Sequence, residues 1–490
     1  MGAFTNTIHF LDNLEQKLRI AMITVLCLLF TQCGNKQKNE PLDNNDQLQF
    51  ISKVDGLIQS YIDLDIFSGV VLVAQKGEVL YHKAFGLADR QKGINNELNT
   101  LFDIGSMNKT FTSIVIHQLA AEGKLRLTDK LSSYISGFSD SKAESITLNH
   151  LLEHSSGFGD YHSPDYFNLK KREQSLHAIV ERAKSVSLDF EPGTEEQYSN
   201  LGYVILGAVI EKVSGKSYFD NVLMRIVDPL ELHDTFLNDF SGLDARIAKG
   251  YHKTPLGILE ENSAMQDVPN PDGGFLSTTL DVMKFYRSYY YDELLLSKEA
   301  KREHSFFQYL NKLDEGKATI AAGGFEGFNT ALFQVLSDDL TIIVFANMDE
   351  PVAERIGMDI LTLYRNDTPP KPQLPAIQNI RKNYEEYGLL YIKENFEKLT
   401  VNFHPTDPKD LILNDLGYAY LYEADDKVKA MEILKLNTQL FPDIANCWDS
   451  YGEALKTNGN ILDAINAYNK ALELQPNLAS AKKALDELNK

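Results

Sequence analysis

The chain has 490 residues, with 48 Lys and Arg against 69 Asp and Glu and a net charge of −21, a balance that argues against nucleic acid as a partner. Hydrophobic residues make up 43%, which rules out a disordered chain, and the length suits two or three units of roughly 100–200 residues. Its cysteines, Cys27, Cys33 and Cys447, are too few for a disulfide scaffold.

Lys17 and Arg19 precede an apolar run from Ile20 to Phe30, which Thr31-Gln32-Cys33-Gly34 closes. The run is too short for a permanent helix across a hydrocarbon core of about 30 Å. A basic segment, an apolar stretch and a small-residue boundary describe a secretion signal over residues 1–33. Its closing cysteine resembles a bacterial lipoprotein box, which implies lipidation at Cys33 and an exported lipoprotein in the periplasm or on the outer cell surface, held to the membrane by that lipid alone. Gln32 departs from the small residue usual before such a cysteine, and plain export with cleavage nearby is the simpler alternative. Residues 34–47 are polar and read as a tether.

Residues 48–367 read as one large domain. Val70-Val71-Leu72-Val73-Ala74 and Val79-Leu80-Tyr81 flank Gln75-Lys76-Gly77-Glu78, a hairpin signal. Ser106-Met107-Asn108-Lys109 follows Gly105 and opens a helix with Phe111, Ile114, Val115 and Leu119 on one face, ending at Gly123. Three residues apart on a helix, Ser106 and Lys109 lie within mutual reach. A serine hydroxyl needs a base, and a lysine serves if its surroundings lower its pKa. Ser-x-x-Lys also occurs at Ser139/Lys142 and Ser480/Lys483, so context, not spacing, selects Ser106. Tyr198-Ser199-Asn200 lies between a Pro192-Gly193 turn and an apolar helix from Leu201 to Val213. Such a loop holds a phenol for proton transfer and an amide to orient a substrate carbonyl. Thr330 to Leu336 and Leu340 to Phe345 flank Ser337-Asp338-Asp339 as a second hairpin. Strands at both ends with helices between predict an α+β fold: one antiparallel sheet made by both ends of the domain, with an inserted helical subdomain.

Pro369, Pro370, Pro372 and Pro375 make residues 368–375 a linker, because each proline removes a donor and restricts its predecessor. In residues 376–490, Leu416-Gly417, Ala430 and Pro442 recur as Tyr451-Gly452, Ala464 and Pro476. This resembles the spacing of tetratricopeptide helix–turn–helix repeats over Asp410 to Leu478 and implies an all-α repeat domain that engages a protein partner. Ile377 to Phe403 reads as a degenerate leading unit and Lys482 to Lys490 as a capping helix.

Together, Ser106/Lys109 and Tyr198/Asn200 resemble the serine β-lactamase and penicillin-binding-protein superfamily, in the branch of class C β-lactamases, D-alanyl-D-alanine peptidases and related esterases. The likeness spans Val54 to Leu363 and extends to the segments from Leu151 to Gly157 and from Gly273 to Thr278. It implies that Ser106 forms an acyl-enzyme, Lys109 is its base and Tyr198 the general acid/base, and that His154 is a hydrogen-bonded loop residue. The third family element, a Lys or His followed by a small residue and Gly, falls on Ala321-Ala322-Gly323-Gly324. The resemblance then puts the backbone N–H groups of Ser106 and Gly324 in an oxyanion hole, and Asn200, Gly323 and Gly324 against substrate. Ala321 replaces the family cation, which weakens the case for substrates with a free carboxylate.

The sequence holds no His-Glu-x-x-His, paired Cys-x-x-Cys or phosphate loop, so no metal or cofactor is expected. The expected function is an exported serine hydrolase cleaving an ester, amide or peptide bond in a small molecule or peptide. Two alternatives stay open: a catalytically impaired protein that uses its pocket and repeats for recognition, and a true β-lactamase or DD-peptidase.

Overall fold

The computed structural model describes residues 44–237, 245–262, 268–325, 327–348, 351–401 and 408–488. The secretion signal and Cys33 lie outside them, and the segment read as a tether is already helical from Asn44. Among the described residues no helix is long and apolar enough to cross a membrane. The chain is α+β in one compact unit; a second comprises Lys253–Glu260 and Lys371 onward, and from Ala376 its described elements are helices.

The first unit is built on a five-stranded antiparallel sheet. Among its elements are helix α1 (Asn44–Asp63), strands β1 (Gly69–Gln75) and β2 (Glu78–Phe85), and helices α2 (Lys109–Ala121), α3 (Asn200–Ser214) and α4 (Thr279–Tyr291). Strands β3 (Ala318–Phe325), β4 (Phe328–Val335) and β5 (Leu340–Ala346) and helix α5 (Val352–Tyr364) follow. The order across the sheet is β3-β4-β5-β1-β2. Lys76 and Gly77 both have positive φ, 53° and 83°, the geometry of a two-residue hairpin turn. Gly69 pairs with Ala346, so both ends of the unit close the sheet at its centre.

Every residue of β1 and β5 is buried, which explains their continuous apolar runs. Val70, Leu72 and Ala74 join the core of the helical insertion, while Val71 and Val73 face the other way. On that second face lie α5 and α1, joined where the Tyr61 hydroxyl donates to Asp359 at 2.8 Å. Gly357 of α5 permits the approach: a Cβ there would lie 2.2 Å from the Phe333 ring.

The second unit contains helices α6 (Ala376–Tyr387), α7 (Leu389–Leu399), α8 (Asp410–Tyr418), α9 (Lys427–Leu440), α10 (Ala445–Thr457), α11 (Ile461–Leu474) and α12 (Ala479–Leu488). The segment from Ile377 is two helices broken at Gly388, whose φ is 79°, and the last helix begins at Ala479 rather than Lys482. Gly417 and Gly452 occupy equivalent contacts. A Cβ on Gly417 would meet Leu434 of α9 at 2.5 Å, and one on Gly452 would meet Tyr468 of α11 at 2.9 Å. Cys447 is buried, and burial, with Asp410 nearby, pushes its thiol up to about 12.

Candidate active site

Two very short strands fix the turn that carries Ser106. Phe102 pairs with Ser277, and the Ile104 N–H donates to the Phe275 carbonyl at 3.0 Å. The chain then turns through Gly105, whose φ of 50° is open to glycine and whose N–H donates to the Asp103 carboxylate at 2.8 Å. A tight helical turn, Gly105–Asn108, leads into α2. Strand β3 runs against this turn, backbone to backbone. A Cβ on Gly323 would lie 1.9 Å from the Ile104 carbonyl oxygen and 2.9 Å from the Ser106 nitrogen, and one on Gly105 would lie 2.7 Å from the Gly324 nitrogen. Only glycine fits at 323, and the peptide nitrogens of Ser106 and Gly324 are brought together.

The Lys109 ammonium is 2.9 Å from Ser106 Oγ, and the Tyr198 hydroxyl donates to the same oxygen at 2.7 Å. Lys109 is 7% exposed and donates to the Asp272 carbonyl at 3.0 Å; its Nζ also lies 5.0 Å from the centre of the Tyr198 ring. Burial lowers its pKa to about 8, against the pull of the Asp272 and Asp160 carboxylates. The charges acting on Lys109 are thus acidic. Ala321 packs toward the core of the unit, and desolvation does what a neighbouring cation would otherwise do. His154, at φ 55°, stacks on Tyr198 with ring centres 4.6 Å apart and accepts from the Ser199 N–H at 3.1 Å. Burial, then Lys109, pushes its pKa down to about 3, so the ring is neutral.

Asn200 begins α3 on this same loop. Its amide nitrogen donates to Asp160 at 2.6 Å and lies 3.2 Å from His162 Nδ1. The Asp160 side chain is 3% exposed. Burial opposes its ionisation, but His162 and Lys109 outweigh that and lower its pKa. Among the described residues no three His, Cys, Asp or Glu side chains converge as metal ligands.

A serine hydroxyl thus lies between a buried lysine and a phenol, and the Beta-lactamase family model matches residues 54–365. The chain belongs to the beta-lactamase family of serine hydrolases. It is 32% identical over 306 residues to teichoic acid D-alanine hydrolase of Staphylococcus aureus, covering 59% of this chain and 72% of that one. It is 29% identical over 315 residues to penicillin-binding protein 4* of Bacillus subtilis, covering 58% and 69%. The crystal structure of FmtA from Staphylococcus aureus shares its fold, with a TM-score of 0.55 at 24% identity over 70% of this chain and 95% of that one.

Within this beta-lactamase-family site, sequence reasoning missed the segment from Asn270 to Asp272. Its three successive carbonyls accept from Asn108 (3.0 Å), Thr112 (2.6 Å) and Lys109 (3.0 Å), so it braces one face of α2. Gly207 makes room for it, since a Cβ there would lie 2.1 Å from Pro271 Cγ. Asp272 also accepts from the Tyr161 hydroxyl at 3.0 Å. The Pro-Asp-Gly-Gly string was the available signal, but a buried carboxylate leaves no trace in spacing. Asp160 was equally hidden, just beyond the segment from Leu151 to Gly157 that the resemblance reached.

Proposed function

We propose that the chain is an exported hydrolase that forms an acyl-enzyme on Ser106. One observation carries this reading: Ser106 Oγ lies within hydrogen-bond reach of both a desolvated lysine amine and a phenol. In its uncharged form Lys109 takes the Ser106 proton as Oγ attacks the substrate carbonyl. The N–H groups of Ser106 and Gly324 hold the oxygen that becomes negative, aided by the nearby start of α2. Tyr198 passes a proton to the departing alcohol or amine; water then enters by the reverse route and releases the acid.

The acyl group lies along Gly323 and Gly324 of β3, with Asn200, held by Asp160 and His162, on the other side. Ala321 offers no charge to a substrate carboxylate, which favours esters and amides without one over penicillins. The likeness to teichoic acid D-alanine hydrolase supports a D-alanyl ester within that class. Residues 410–478 form a tetratricopeptide pair that engages a peptide or protein, supported by the recurring glycine contacts at Gly417 and Gly452. The signal at residues 1–33 exports the chain, and Cys33 carries its lipid. Steady-state assays with p-nitrophenyl acetate, a D-alanyl ester and a chromogenic cephalosporin test the substrate class. Ester turnover that needs Ser106 and exceeds cephalosporin turnover by ~100-fold is expected; the reverse preference would make the protein a β-lactamase.

A further inference from the structure

A buried hydroxyl outside every motif joins the turn of Ser106 to the glycine strand. Thr330 of β4 is 0% exposed and stands opposite Gly323 in the β3/β4 register. Its Oγ1 lies 3.2 Å from the Ile104 carbonyl oxygen and 3.1 Å from the Gly323 carbonyl oxygen. Both partners are acceptors only, so the single hydroxyl proton is shared between them. The first belongs to the residue two before the nucleophile. The second shares its rigid peptide plane with the N–H of Gly324. Fixing the Gly323 carbonyl therefore fixes the direction of that N–H, and the bond to Ile104 ties that direction to the turn carrying Ser106.

We propose that Thr330 is a positioning residue for the oxyanion donor, setting the tilt of the Gly323–Gly324 peptide relative to Ser106. The inference rests on the reading of Ser106 as nucleophile and Gly324 as donor. An N–H aimed at the oxyanion matters most in the transition state, so its misalignment lowers kcat and spares KM.

The test compares the parent with Thr330→Val, which keeps the shape and loses the hydroxyl, and Thr330→Ser, which keeps the hydroxyl. Ester hydrolysis is followed together with inhibition by a phenylboronic acid, whose tetrahedral serine adduct places an oxygen in the same hole. Thr330→Val is expected to lose ~10- to 100-fold in kcat and a similar factor in boronate affinity, with KM within ~3-fold of the parent. Thr330→Ser restores both. Retained kcat in Thr330→Val, a parallel change in KM and kcat, or no rescue by serine would overturn the inference while Ser106-dependent turnover stood. Equal turnover by Ser106→Ala would remove the nucleophile reading and this inference with it. If Thr330→Val does not fold, Thr330→Ala is read the same way; failure of both to fold would make the hydroxyl a determinant of stability and overturn the positioning role.

Discussion

Burial tunes Lys109 against the pull of two neighbouring carboxylates. Burial brings its pKa to about 8 while Asp272 and Asp160 hold it up. A base must be uncharged to accept a proton, so acylation should rise with pH through an inflection near 8 and then level off. Asp272→Asn removes a charge that favours the ammonium and keeps the carbonyl contact. Its inflection should move to lower pH in stopped-flow acylation profiles; an unmoved or higher inflection would contradict this electrostatic account. Ser106, Lys109 and Tyr198 were legible in the sequence because their spacing and flanking glycines are local. Asp160 and Asp272 were not, because what they do depends on burial against α2 and α3.

At the scale of elements, the two hairpins could be read from β-branched runs and turn residues, whereas the pairing of Phe102–Asp103 with Phe275–Ser277 is too short to leave a pattern. Packing also hides its signals. His117 of α2 and His304 stack with ring centres 3.8 Å apart, and both are buried. Burial, then His117, pushes His304 down to about 2, and burial lowers His117. A histidine whose folded pKa lies below its unfolded value of about 6.5 gives stability that is complete above that pH. As pH falls below it the unfolded chain gains a proton that the folded chain refuses, and about 1.4 kcal/mol per pH unit is lost per group. His304 accepts from the Phe306 N–H as a helix cap, a role asparagine also fills. His304→Asn should therefore lose less stability than the parent between pH 6.5 and 5, by about one group's share, in urea denaturation. Identical slopes would show that His304 does not titrate on unfolding.

Across the whole chain, proline density marks residues 368–375 as a linker, and the compact units divide between Pro370 and Lys371. The exception is Lys253–Glu260, which belongs to the helical unit and where no composition shift announced it. There the Gln378 amide donates to the Thr254 carbonyl at 3.3 Å, a contact made across more than a hundred residues of sequence and so invisible to local pattern. Every residue assigned a part in the chemistry lies in the first unit. A chain ending at Pro370 should accordingly keep ester turnover within ~3-fold of the full chain; a soluble truncation without turnover would give the helical unit a share in catalysis. An acyl group carried by Ser106 is a covalent bond to that oxygen, which intact-mass spectrometry reads after exposure to a fluorophosphonate. The parent should gain a single adduct mapped to Ser106 and Ser106→Ala none; an unlabelled parent, or equal labelling of the variant, would contradict the account.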